Sequence, residues 1–112
     1  MNFSTEYIGK SVLVISHVEK LDSTHAPELK TVFTYINKTG SNKIVFNLEK
    51  TKYCDSSGLS AILVANRLCK DTSGAFVLFG LQASVLKMIE IAQLDRVLII
   101  CSTKEEALSS LE

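Results

Sequence analysis

Three short, nearly unbroken apolar runs punctuate this chain: Lys43-Ile44-Val45-Phe46-Asn47-Leu48, Ala75-Phe76-Val77-Leu78-Phe79 and Val97-Leu98-Ile99-Ile100-Cys101. A strand with one face in water alternates apolar and polar residues, whereas a continuous run suits a strand covered on both faces. Helical patterns separate the runs, so the strands must run parallel through right-handed crossovers. Ahead of them, Phe3–Ile8 and Ser11–Ile15 flank Gly9-Lys10 and predict an antiparallel hairpin at a sheet edge. The expected order is β-β-α-β-α-β-α-β-α. This is an α/β fold with a mixed, mostly parallel sheet, an N-terminal antiparallel hairpin and about four helices. A chain of 112 residues makes one domain, 1–112, and leaves no room for a second.

The helices read as follows. Leu21-Asp22-Ser23-Thr24 ends a strand and starts a helix, with Ser23 or Thr24 as cap and Pro27 tolerated in the first turn. Ala26, Leu29, Val32, Phe33 and Ile36 recur at helical spacing, and Gly40 stops them. A second helix carries Leu59, Ile62, Leu63, Asn66 and Cys69 on one stripe. Its Ala61, Val64 and Ala65 make the remaining surface apolar as well, as in a helix that is deeply packed or meets a partner. A third buries Val85, Leu86, Ile89 and Ala92, and a fourth, capped by Ser102 or Thr103, buries Ala107, Leu108 and Leu111.

Composition narrows the function. Lys plus Arg and Asp plus Glu each total 12, which leaves no basic excess for a phosphate backbone, so nucleic acid is not an expected partner. The apolar runs fall far short of the ~20 residues that cross a bilayer, and the start Met1-Asn2-Phe3-Ser4-Thr5-Glu6 has no signal-peptide pattern. Direct membrane insertion is not expected. Cys54, Cys69 and Cys101 are widely spaced, with no Cys-x-x-Cys pair, and read as reduced, buried thiols of a cytoplasmic protein. His17, in the fading end of the second strand, reads as a solvated side chain without a role.

The chemistry concentrates in Tyr53-Cys54-Asp55-Ser56-Ser57-Gly58-Leu59, where a short extended run meets a polar turn and then a helical pattern. Asp55, Ser56 and Ser57 are helix-capping types, since their oxygens accept from the free N–H groups of a first turn. The same turn carries about half a positive charge, which favours an anion on Ser56 or Ser57. A strand-to-helix turn also holds Leu21-Asp22. Both turns fall at the carboxyl ends of strands, the functional rim of such sheets, so distant stretches are expected to meet in one surface. A hydrolytic site assembled from Ser56, Asp22 or Asp55 and His25 has no Gly-x-Ser-x-Gly elbow, phosphate loop or metal-ligand spacing to support it. No enzyme activity and no cofactor are expected.

Asp55-Ser56-Ser57-Gly58-Leu59 with the apolar residues behind it resembles the signature of the STAS domain in anti-sigma factor antagonists. The resemblance extends through Leu21-Asp22, Ala26, Leu29, Gly74, Val85 and Leu94. It implies a single STAS domain with its regulatory serine at the start of the second helix. It further implies a protein that binds an anti-sigma factor serine kinase and so releases a sigma factor. Phosphorylation reverses this and a serine phosphatase restores it. By position the phosphorylated residue is Ser56, with Asp22, Asp55, Ser57 and Gly58 beside it in the partner-binding surface. The alternative within the family is a STAS accessory subunit of a membrane transporter, for ABC-type lipid transport or anion transport. Two positions depart from the family pattern and bear on loop shape: Glu19, where Gly is frequent, and Thr51, where an apolar residue is usual.

Overall fold

The computed structural model describes residues 1–112, and its elements follow the sequence pattern with three additions, two short strands and a 3-10 turn. In chain order they are β1 (Phe3–Ile8), β2 (Ser11–Ser16), β3 (Lys20–Leu21), α1 (Ala26–Lys38), β4 (Lys43–Asn47), β5 (Tyr53–Cys54) and α2 (Ser56–Asp71). There follow β6 (Ala75–Phe79), α3 (Ala83–Ile91), a 3-10 turn (Leu94–Arg96), β7 (Ile99–Cys101) and α4 (Lys104–Ser110). β1 and β2 form the antiparallel hairpin, and Gly9 takes the left-handed turn conformation between them at φ +60°. The main sheet has the order β1-β2-β4-β6-β7, parallel from β2 onward, so the hairpin strand β1 lies at one edge.

In β4 and β6 the apolar runs are continuous because both faces of the sheet are covered; the third run departs from this expectation, since β7 is the other edge strand and leaves Ile99 exposed. Val12, Val14, Ile44, Phe46, Phe76 and Leu78 point to the side of α1, α2 and α3, while Leu13, Val45, Val77 and Phe79 point to Ala107 of α4 and to Leu111 at its end. Phe33 of α1 stands edge-on to Phe46 and Phe76, with ring centroids 5.2 and 5.4 Å away. α1 buries Ala26, Leu29, Phe33 and Ile36 as its spacing requires. α2 buries Leu59, Ala61, Ile62, Ala65, Asn66 and Cys69, so its broad apolar surface is spent largely within the domain.

Several expectations are corrected, and one left open between two residues is decided. Neither Ser23 nor Thr24 caps α1. His25 takes the cap position without a side-chain bond, and the Asp22 carbonyl receives the N–H groups of His25 and Ala26. The last strand shrinks to Ile99–Cys101, because Gln93 adopts a left-handed conformation and the chain winds into a 3-10 turn before it. Ala92 is exposed rather than packed, and Cys101 is only half-buried. At the fourth helix Thr103 is the cap, its Oγ1 accepting from Glu106 N–H at 3.1 Å.

Candidate functional site

β3 and β5 create the site. Each is two residues long, and they pair in parallel, Lys20 with Tyr53 and Leu21 with Cys54. The Glu19 carbonyl accepts from Lys52 and Tyr53 N–H at 2.8 and 3.0 Å, and the Leu21 carbonyl accepts from Asp55 N–H at 3.3 Å. This small ladder lays the turn into α1 beside the turn into α2. Gly58 completes the join, since a Cβ there would collide with the Leu21 carbonyl oxygen and the Cys54 sulfur. Here the absence of a side chain lets a helix press its first turn onto a neighbouring strand. Asp22 and the Asp55–Gly58 turn, separated in sequence, therefore share one rim.

Asp55 is the N-cap of α2 in extended conformation, and its Oδ1 accepts from Ser57 N–H at 2.9 Å and Gly58 N–H at 3.1 Å. These bonds leave the Ser56 hydroxyl outside the capping network, on an exposed residue in the first position of the helix. Ser57, one residue on, is half-buried and lines a shallow cleft with Ser23, Ala26, Pro27, Lys30 and Ser60. Asp22 is half-buried, and its Oδ1 accepts from Thr24 N–H at 3.0 Å. Around the rim, Lys52 and Glu19 pair at 3.5 Å, both largely in water, so the pair adds little stability.

Beneath the rim lies a polar anchor that periodicity did not reveal. Thr51 is fully buried; its Oγ1 donates to the Val18 carbonyl at 2.8 Å and lies 2.7 Å from the buried Ser16 Oγ. The hydroxyl thus fastens the end of β2 to the segment that leads into β5. Its departure from an apolar pattern was the one signal in the sequence. His17 is likewise not merely solvated: its Nε2 is 2.7 Å from Ser4 Oγ and its Nδ1 3.3 Å from Lys50 Nζ. α3 braces the same segment, with Gln82 Nε2 donating to the Glu49 carbonyl at 2.8 Å and Ser84 Oγ donating to the Lys52 carbonyl. Under the α2 turn, burial pushes the Cys54 thiol up to about 12, with the nearby Asp55 charge adding to the effect.

The arrangement presents hydroxyls rather than activating them. The bonded oxygens of Asp22 and Asp55 face backbone N–H groups, and no hydrogen bond joins His25 to Ser56 or to either carboxylate. No group of three or more His, Cys, Asp or Glu side chains is placed to hold a metal ion. No helix is long and apolar enough to cross a membrane.

A parallel sheet extended by an N-terminal hairpin, with an acid-capped serine turn on its rim, defines a class that comparison identifies. The STAS domain model matches residues 6–107, and the chain belongs to the STAS domain family. Its fold superposes on a Thermotoga maritima protein assigned as an anti-sigma factor antagonist with a TM-score of 0.87, at 26% identity over 97% of this chain and 93% of that one. The unphosphorylated anti-sigma factor antagonist SpoIIAA matches at a TM-score of 0.82 and 22% identity, over 96% of this chain and 94% of its own. A murine anion transporter, Slc26a9, matches at 0.75 and 15% identity, over 95% of this chain but 18% of the transporter.

Proposed function

We propose that this STAS domain is an anti-sigma factor antagonist. In this account it binds an anti-sigma factor serine kinase in the cytosol, frees a sigma factor, and is switched off when Ser56 is phosphorylated and on again by a serine phosphatase. The chain acts as binder and phosphate acceptor, not as a catalyst. The observation that carries the reading is the exposed Ser56 hydroxyl at the first position of α2, left out of the Asp55 cap and flanked by Asp22 through the β3–β5 ladder. Partner contact is assigned to Asp22, Asp55, Ser56, Ser57 and Gly58.

A phosphoryl group brings about −1.5 to −2 charge to this surface. A hundredfold loss of affinity requires only about 2.8 kcal/mol, which one repelled or desolvated phosphate supplies. The test is native-gel titration of the cognate kinase. Ser56→Ala is expected to bind like the unmodified protein, and Ser56→Asp to bind more weakly. Equal binding of the unmodified and fully phosphorylated forms contradicts the switch. The transporter-accessory reading rests on a likeness of fold alone; recovery of an ABC-type ATPase instead of a serine kinase, in a pull-down from the native cytosol, replaces the first reading with it.

A further inference from the structure

The edge strand β1 carries features of its own. Its pairing with β2 follows a register in which residue numbers sum to a constant, and the His17 N–H bonds the Asn2 carbonyl at 2.9 Å. Hydrogen-bonded pairs alternate along an antiparallel ladder. The even-numbered residues Ser4, Glu6 and Ile8 therefore spend their backbone groups on β2, and Phe3, Thr5 and Tyr7 direct theirs outward. Natural edges are usually blunted by charged residues, above all Lys, by Pro or by a bulge. β1, with the sequence Phe-Ser-Thr-Glu-Tyr-Ile, has no Lys and no Pro and pairs without a break in register; its one charge, the exposed Glu6, is on a residue whose backbone groups are spent on β2.

Beside this edge runs an open groove of about 520 Å³ between β1 and α1, lined by Phe3, Thr5, Tyr7, Val32, Tyr35 and Ile36. Tyr7 and Tyr35 are 61% and 65% exposed, far more than is usual for aromatic side chains. Unpaired backbone and an aromatic groove on one flank are the two requirements for adding a strand.

We infer that a second copy of this chain docks here, its β1 running antiparallel to the first about a two-fold axis through Thr5. Parity permits outward-facing residues to pair only with one another. Centring on Thr5 matches all of them: Phe3 faces Tyr7 of the second copy, Thr5 faces Thr5, and Tyr7 faces Phe3. Aromatic and β-branched cross-strand pairs are stabilising, and this register places two of the first kind and one of the second. Charge agrees with it. Glu6 falls opposite Ser4 rather than opposite Glu6, and Glu28 at the groove's end is already bound by Asn2 Nδ2 at 2.9 Å. An isologous contact of this kind closes on itself.

The test combines mass measurement with cross-linking. Sedimentation over a concentration series is expected to show a monomer–dimer equilibrium. Thr5→Pro removes two central hydrogen bonds, one from each copy, through an N–H that β2 does not use, and is expected to weaken the dimer about tenfold or more with the fold intact. Directly opposed Thr5 residues in a hydrogen-bonded pair lie about 5.5 Å apart at Cα, within disulfide range. Thr5→Cys is accordingly expected to cross-link on mild oxidation much faster than Glu6→Cys. A monomer at every concentration, a dimer unaffected by Thr5→Pro, or equal cross-linking of the two cysteine variants overturns the proposal. So does a monomer whose groove takes up an extended segment of another protein.

Discussion

The turns into α1 and α2 are built as a pair and work differently. Each follows a two-residue strand, the strands pair side by side, and Asp22 and Asp55 follow Leu21 and Cys54 at matching positions of the ladder. Asp55 uses its side chain to cap α2 and holds Ser57 and Gly58, whereas Asp22 receives the N–H groups of His25 and Ala26 on its backbone carbonyl and uses its carboxylate only on Thr24. The second turn is therefore rigidly organised around a serine, and the first is a more loosely committed acidic neighbour. Equal residue types at equal positions do not imply equal roles; what decides is which backbone donors each carboxylate finds.

The largest effect is expected where the two turns touch. Gly58→Ala drives a methyl group into the Leu21 carbonyl and the Cys54 sulfur, and overpacking of this kind costs about 1–3 kcal/mol against a helix-propensity gain of at most about 1. Urea denaturation is expected to show a net loss; unchanged or increased stability means the turns are not in contact. Next comes the thiol under the α2 turn. Cys54 stays protonated in the folded protein well above 9.0, its ordinary value, because burial lifts it to about 12. The unfolded chain releases that proton first, so this contribution is intact below pH 9 and declines above it. The slope approaches about 1.4 kcal/mol per pH unit for one thiol. Cys69, raised to about 11, adds a second share. Stability measured from pH 8 to 10.5 is expected to fall less steeply in Cys54→Ala than in the unmodified protein, and identical slopes place Cys54 in contact with water.

Asp55→Ala removes a true cap and is expected to cost about 1 kcal/mol. Asp22→Ala, which loses a single exposed side-chain bond, is expected to cost about 0.5 kcal/mol or less. Comparing their thermal unfolding with their affinity for the kinase separates the roles: Asp22→Ala should lose binding out of proportion to stability, while equal stability losses erase the distinction between the turns.

The sequence made some of this legible and not the rest, for reasons of range. Asp55 as a cap is a local matter, settled within three residues, and the buried strands announced themselves because burial on both faces removes every polar residue from a run. The β3–β5 ladder was hidden, since two-residue strands have no periodicity and Lys20 meets Tyr53 only through tertiary packing. Val97 and Leu98 look like strand, yet the left-handed Gln93 turns the chain before them and leaves Val97 exposed. Nothing local in the sequence singles out Tyr7 and Tyr35, and only the assembled sheet shows that both lie open beside an unpaired edge.

The central claim is that Ser56, not Ser57, carries the switch, and the most direct measurement is intact mass after incubation with the cognate kinase and Mg-ATP. The account predicts one added phosphoryl group on the unmodified protein and on Ser57→Ala, none on Ser56→Ala, and melting of the phosphorylated form within a few degrees of the unmodified one, because an anion at a helix start is favoured by about 0.3–1 kcal/mol. Phosphate on Ser56→Ala but not on Ser57→Ala, or none on the unmodified protein, contradicts it.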